Sequence, residues 1–353
     1  MKRILRKTRS LFTFIRQTVD RLLVYLACQN SFLSSLYYTF CSGVFYKEHK
    51  AALAGRVKYY RDLQSASNGE SVMLRRNIHR LEKGIIMRPR KKVFGSSYIH
   101  DTVGAYAHAL SVHEPGKPFS ETLKWAHDVL KTYFSVTDDS HSGINKAREY
   151  FYELPPVPGD LSSRPYHRDM SGGLSVDYSG LLQLAKTRRS VRWYRQQAVP
   201  REVTDKAIRI AGLSPSACNR QPFDFRIFDD PEKAQEIAGI AMGTKGFSHN
   251  FPGLIVVVGD LSAYFHERDR HNIYIDASLA AMSLIYALEV QGVSSCIINW
   301  PEIARKERII TKKLKLETSR RVIMLISIGY PDPRGMVPYS QKKRLDLLRT
   351  YNP

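Results

Sequence analysis

The sequence predicts an α+β chain, with helices filling its first half and a modest sheet in its second. Before residue 154, apolar residues recur at helical spacing in one segment after another. Two nearly continuous apolar runs, 254–258 and 322–328, read as strands covered on both faces. Between them, residues 273–290, with Ala277, Ala280, Ala281, Leu284 and Leu288, read as a long buried helix.

A length of 353 residues gives room for two domains, and the net charge of +21 favours anionic partners. Those partners are a phosphate-bearing cofactor or substrate, acidic lipid, or nucleic acid. The charge is spread along the chain, and no RNA-recognition or zinc-finger signature is present, so no nucleic-acid partner is expected. Cys28, Cys41, Cys218 and Cys296 form no C-x-x-C pair, which points to a reducing, cytoplasmic setting without structural zinc. His266 and His271 are one residue too far apart for a helical H-E-x-x-H pair, so no metal is expected there. The chain also lacks a G-x-x-x-x-G-K-[ST] loop, a G-x-G-x-x-G turn and a G-x-S-x-G elbow.

The first element is strongly basic: Lys2, Arg3, Arg6, Lys7, Arg9, Arg16 and Arg21 stand against Asp20 alone. No charged residue occurs from Leu22 to Tyr46, although Gln29, Asn30 and several Ser and Thr dilute the apolar character. Three readings remain open: a helical hairpin packed on the protein, a segment lying on the cytoplasmic face of an anionic membrane, or a single span. The next helix, 72–84, sets Leu74, Ile78, Leu81 and Ile85 on one face, with Gly84 as a left-handed stop. Its back carries Arg75, Arg76, His79, Arg80, Glu82 and Lys83. Those cations either form a solvated face, or Arg76, His79, Arg80 and Lys83 present charge to a ligand or to the second domain. Ser120 can cap a helix with Leu123, Ala126, Leu130 and Tyr133 inward, and a further helix, 144–153, turns Ile144, Ala147 and Phe151 inward. A Pro/Gly/Ser connector follows, from Leu154-Pro155-Pro156 to Ser171-Gly172-Gly173. The expected divisions are 1–71 (basic, aromatic-rich helical segment), 72–153 (helical extension), 154–175 (linker) and 176–353 (second domain).

The second domain opens on a helix capped by Ser179. Another begins at Pro200, with Val203, Ala207, Ile210 and Ala211 inward and Gly212 at its end. Phe223, Phe225 and Ile227 alternate with Asp224 and Arg226 as a half-buried strand should. Two clusters flank the helix that starts at Pro200. The first, Arg188-Arg189-Ser190-Val191-Arg192, packs three guanidiniums and a hydroxyl into five residues, a set that can hold a phosphate. The second, Pro215-Ser216-Ala217-Cys218-Asn219-Arg220-Gln221-Pro222, supplies amides and hydroxyls that can read a heteroaromatic edge.

These clusters resemble the Arg-x-Ser-x-Arg/Lys run and the Pro-Ser-x-x-Asn-x-Gln-Pro loop of the nitroreductase family of FMN-dependent oxidoreductases. The Gly292–Cys296 turn, Gly329-Tyr330-Pro331 and Ser340-Gln341-Lys342-Lys343-Arg344 are similar to three further family features, in the same order. The resemblance covers the C-terminal half. It implies a nitroreductase-like fold, a central mixed sheet flanked by helices, in an intertwined homodimer. It also implies a flavoprotein that passes hydride from NAD(P)H through flavin N5 to a small-molecule acceptor, with no catalytic side chain.

Carried over, Arg188, Arg189 and Ser190 would bind the FMN phosphate or ribityl chain, and Arg192 the pyrimidine edge. Lys342 and Lys343 would close the phosphate site. Pro215, Ser216, Ala217 and Asn219 would reach the flavin of the other subunit. A backbone N–H at Asn299, with Ile298 beside it, would meet N5. The loop between Ala238 and Pro252, containing Lys245 and His249, departs from the family in lacking an obvious flavin-contacting Asn. Asn77–Gly84 with Phe94-Gly95 resembles a His-x-x-Glu-Lys-Gly motif and Phe-Gly in a subgroup linked to surface-polysaccharide genes. Two alternatives stand beside a reductase: a flavin oxidase or dehydrogenase acting on an anionic metabolite, and a non-catalytic flavin-fold module tethered to a membrane-associated biosynthetic complex.

Overall fold

The structure is a computed structural model that describes residues 18–64, 71–158, 161–168 and 175–352. The basic residues Lys2 to Arg16 and the Ser171-Gly172-Gly173 end of the connector lie outside the described residues. The chain divides into two compact units, Met1–Leu53 and Ala54–Pro353.

In the first unit residues 18–27 are helical, and after a turn α1 (Ser31–Tyr37) begins. Asn30 caps it, its Oδ1 accepting from the Leu33 N–H at 2.9 Å. The Ser34 hydroxyl donates to the Ala27 carbonyl at 2.7 Å and the Tyr37 hydroxyl to Asp20 at 2.7 Å, making a hairpin of the two helices. Helix α1 buries none of its residues. The turn at 28–30 and left-handed Gly43 (φ 63°) interrupt the uncharged window. No helix among the described residues is long and apolar enough to cross a membrane. The described part of the segment is a broken hairpin of two short helices. Helix α2 (Tyr46–Gln64) then leads into the second unit.

Within the second unit, α3 (Val72–Ile85), α4 (Ile99–Ser111), α5 (Glu121–Val136) and α6 (Ser142–Glu153) pack as a bundle. Ser71 and Ser120 cap α3 and α5 through their hydroxyls. Leu74, Ile78 and Leu81 meet Ile99, Tyr106, Leu123, Leu130, Ile144 and Phe151 in one apolar core. Gly84 is not a stop, because α3 continues through it to Ile85. Its role is close approach: a Cβ there would overlap the Phe94 ring. Phe94 stacks edge-on against Tyr133, whose hydroxyl donates to the Phe94 carbonyl at 2.6 Å, and Gly95 turns the chain at φ 71°. His79 Nδ1 lies 3.2 Å from Glu82, which also accepts from Trp125 Nε1 at 2.9 Å. The Arg80 guanidinium sits 3.7 Å from the centre of the Tyr98 ring. His79 and Arg80 thus work inside the bundle.

The rest of the unit comprises α7 (Tyr178–Thr187), α8 (Arg201–Ala211), β1 (Phe223–Phe228), α9 (Pro231–Ile240), β2 (Gly253–Asp260), α10 (Asn272–Glu289), β3 (Ser294–Asn299), α11 (Ala304–Lys313) and β4 (Arg320–Gly329). The sheet order is β1-β2-β4-β3, and every neighbouring pair is antiparallel. Strands β2 and β3 therefore run the same way with β4 inserted between them, and α10 makes the crossover. The mixed sheet expected above reduces to one isolated parallel bridge, Ser190–Ser295. The apolar runs of β2 and β4 report burial on both faces, which an antiparallel pair beneath helices satisfies equally well.

Two local expectations also change. Asp177, not Ser179, caps α7, accepting from the Gly180 N–H at 2.7 Å. On α8, the small residues Thr204, Ala207 and Ala211 are buried, whereas Ile210 is exposed.

Candidate functional site

The first arginine cluster forms where α7 ends. The Arg188 N–H donates to the Leu184 carbonyl at 2.9 Å, and its backbone (φ −61°, ψ 115°) turns the chain from helix to extended. The extended run docks beside β3, with the Val191 N–H donating to the Ser295 carbonyl at 3.1 Å. Asn250 then fixes a bend. Its Nδ2 donates to the Arg192 carbonyl at 2.8 Å and its Oδ1 accepts from the Tyr194 N–H at 2.9 Å. Past the bend, the buried Tyr194 hydroxyl lies 2.8 Å from Ser327 Oγ, and the Arg195 N–H donates to the Tyr330 carbonyl at 2.9 Å. The Arg192 guanidinium lies 5.6 Å from the Phe247 ring centre.

Arg188 to Arg192 are half-buried. Among the described residues, no ion pair involves Arg188, Arg192, Lys342 or Lys343. Arg189 is used differently, donating to the Pro338 and Tyr339 carbonyls and so tying the segment that leads to Lys342 and Lys343. Those two lysines are exposed. Burial pushes the Glu289 carboxyl above its usual range, partly offset by the charge of Arg188 and a hydrogen bond from Ser294. Burial likewise pushes the Cys296 thiol up, against the charge of Arg192, a hydrogen bond with Ser190 and the charge of Arg188. A thiol held in its protonated form is a poor nucleophile, so packing is the role that fits Cys296.

Strand β3 is an edge of the sheet. The Ser295 carbonyl faces outward, because it accepts from Val191. The period of two then turns the backbone groups of Ile297 and Asn299 outward too, and those of Cys296 and Ile298 toward β4. Of the two residues expected to meet a flavin N5, Asn299 therefore holds its N–H on the open edge. Ile298 belongs to the ladder and to the core.

The second cluster is a strained loop around a short turn, Ala217–Asn219. Cys218, Asn219 and Gln221 are left-handed at φ 53°, 51° and 50°, a region non-glycine residues rarely adopt. The Ala217 N–H donates to Asp276 Oδ2 at 3.0 Å, and the Tyr264 hydroxyl donates to the same oxygen at 3.0 Å. The Gln221 N–H donates to Ser216 Oγ at 3.0 Å, and its Nε2 donates to the Gly212 carbonyl at 2.7 Å. Arg220 stacks 4.6 Å from the Tyr264 ring centre, and among the described residues neither its buried Nε nor the Asn219 side chain has a hydrogen-bond partner.

The structure does not bring the two clusters together within one chain. The loop is anchored at Asp276, near the start of α10, whereas Arg188 to Arg192 sit beside Glu289 and Ser295 at and beyond its end. At 1.5 Å per residue, Asp276 and Glu289 are about 20 Å apart along the helix.

Asn250 and Asp276 shape these loops, and neither was picked out from the sequence. Asp276 had a readable signal: an acid set among the apolar residues of a helix must be paired when buried. Asn250 stands in the loop read as lacking an obvious flavin-contacting Asn, and here it is a backbone staple.

A model of the Nitroreductase family matches residues 185–246 and 239–330, a stretch that takes in both clusters, α10, β3 and β4. Iodotyrosine deiodinase 1 of Homo sapiens is 26% identical over 194 residues, covering 47% of this chain and 66% of that protein. The iodotyrosine deiodinase of Thermotoga neapolitana is 24% identical over 196 residues, covering 49% of this chain and 97% of that protein. The chain thus spans just under two thirds of the length of the human relative. Among solved structures, an FMN-dependent nitroreductase from Clostridium difficile R20291 is 27% identical with a TM-score of 0.39, covering 45% of this chain and 92% of that one. A nitroreductase family protein from Streptococcus pneumoniae TIGR4 is 23% identical with a TM-score of 0.42, covering 48% of this chain and 99% of that one. The fold is nitroreductase-like: α+β, with a four-stranded antiparallel sheet and a helical region ahead of the matched stretch. Residues 185–330 carry the family's sequence pattern.

Proposed function

We propose that the chain is an FMN-dependent oxidoreductase that works as a homodimer and passes hydride from NAD(P)H to a small-molecule acceptor. One observation carries the reading: among the described residues, half-buried Arg188 and Arg192 form no ion pair and flank Ser190 against the open edge of β3. Half-buried cations outside any ion pair suit an anionic ligand, and each charge-assisted bond to a phosphate is worth about 1.5–3 kcal/mol. The donor set therefore fits FMN.

In this reading Arg188 and Ser190 hold the phosphate and ribityl chain, with Lys342 and Lys343 closing over the phosphate. Arg192 offsets negative charge at the pyrimidine edge. The Asn299 N–H donates at N5. Arg189 acts indirectly, by holding the tail that carries the two lysines. When bound, FMN supplies the hydride chemistry, and the side chains supply position and field.

Two features support a dimer with composite sites, in which Pro215, Ser216, Ala217 and Asn219 reach the partner's flavin. The clusters lie at opposite ends of α10. That helix also exposes Ile275, Leu279 and Met282 along one side. Relatives named iodotyrosine deiodinases make a halogenated aromatic amino acid one acceptor to test beside nitroaromatics. The purified protein should be yellow, release FMN and bleach anaerobically with NADH or NADPH. Arg188→Ala with Arg192→Ala should lower FMN retention by at least tenfold, the equivalent of about 1.4 kcal/mol. A colourless protein that cannot be reconstituted with FMN would sink the proposal.

A separate observation favours a membrane contact for the first unit. Leu22, Tyr25, Leu26, Phe32 and Phe40 are exposed in a window without charge, between Arg21 and Lys47. An uncharged aromatic and aliphatic surface with basic flanks suits an anionic bilayer interface. Co-sedimentation with vesicles of anionic phospholipid should be lost on removing residues 1–46 and weakened by high salt. Equal binding by the truncated chain would refute it. The link to polysaccharide synthesis rests only on the resemblance of the His79–Gly84 run.

A further inference from the structure

We infer that Arg75, on the helical extension, is a positioning residue for the 215–221 loop, so that the extension sets the shape of the loop proposed to reach the flavin. The inference deepens the flavin reading and rests on it for the ligand. Arg75 Nη1 donates to Thr122 Oγ1 at 2.9 Å, joining α3 to α5. Nη2 donates across to the loop, to Gln221 Oε1 at 3.1 Å and the Asn219 carbonyl at 3.5 Å. The guanidinium carbon lies 5.5 Å from the Trp125 ring centre, and Trp125 is itself pinned to Glu82 through its Nε1. One planar group therefore ties two helices of the extension to two residues of the loop.

The loop needs such a tie. Cys218, Asn219 and Gln221 occupy left-handed conformations that non-glycine residues hold only when their surroundings enforce them. Both ends of the Gln221 amide are engaged: Nε2 with the Gly212 carbonyl and Oε1 with Arg75. Removing Arg75 frees one end of that amide and the Asn219 carbonyl together. Asn219, whose own side chain is left available, is then no longer aimed. Lysine cannot replace the arginine, because a single ammonium does not span acceptors on α5 and on the loop as a planar fork does. Arg80, one helical turn and a residue further along α3, makes a useful control, since it stacks on Tyr98 within the bundle.

The test compares full-length Arg75→Ala, Arg75→Lys and Arg80→Ala with the parent chain. Hydrogen–deuterium exchange is read over residues 215–222, and FMN affinity is read by quenching of flavin fluorescence. Arg75→Ala should speed exchange in the loop and weaken FMN roughly tenfold, the order expected when a supporting contact is removed from a binding site. Arg75→Lys should restore little of either. Arg80→Ala should lower the thermal midpoint and leave both readouts unchanged. Gln221→Ala should cost less in the Arg75→Ala background than in the parent chain, because the bond between the two is already gone and only the bond to the Gly212 carbonyl is left to lose. The inference is overturned if Arg75→Ala matches Arg80→Ala in both readouts, or if the loop loosens while FMN affinity stays the same. If the parent chain takes no FMN, the flavin reading falls, and exchange in the loop alone decides whether Arg75 holds it.

Discussion

Arg188 and Arg192 show how much and how little a residue's identity reveals. Their type and spacing suggested an anion site, but a solvated helix end would look the same in sequence. Partial burial without an ion pair among the described residues is what favours the proposed anion site. Arg75 was less legible still, because Arg76 and Arg80 share its type and helix. Which of the three reaches the loop depends on Gln221, which lies 146 positions away in sequence. Gly84 gives a prediction with a definite sign. In an ordinary helix, Gly→Ala gains up to about 1 kcal/mol. Here the added methyl meets a Phe94 ring pinned by Tyr133, so Gly84→Ala should destabilise, and Gly84→Val more so, by about 1–3 kcal/mol. Urea titration measures this directly, and a gain in stability for Gly84→Ala would contradict the close approach.

Among elements, the helices were the most legible. The spacing of Leu123, Ala126, Leu130 and Tyr133 placed one face of α5, and all four are buried. Strand positions were equally clear for β2 and β4, but strand direction was not, since a run of apolar residues reports covered faces and nothing about its neighbours. The caps moved by two residues at α7 because Asp and Ser both serve at that position. The His79–Gly84 run resembles a family motif as a string, and in the structure its residues serve the bundle: His79 meets Glu82 within α3, Glu82 joins α3 to Trp125 of α5, and Gly84 lies under Phe94. Strand β3 shows the converse. Nothing in Ser294 to Asn299 announces an open edge, and only the sheet order puts the Asn299 N–H there.

For the whole molecule, α10 is the organising distance. It holds the 215–221 loop at one end and the arginine cluster at the other, about 20 Å apart, and exposes an apolar side between them. In the proposed function a single chain carries two half-sites, and a second copy completes each one. The sequence presented the clusters as neighbours because only a short helix separates them along the chain. The most direct measurement is complementation between two defective variants. One carries Arg188→Ala with Arg192→Ala, and the other Ser216→Ala with Asn219→Ala. Each alone should retain little FMN. Mixed, exchanged and purified as a heterodimer, they should regain one intact site in two, about half the FMN of the parent protein. A heterodimer that binds no more FMN than either variant alone would contradict a flavin site built from two copies of this chain.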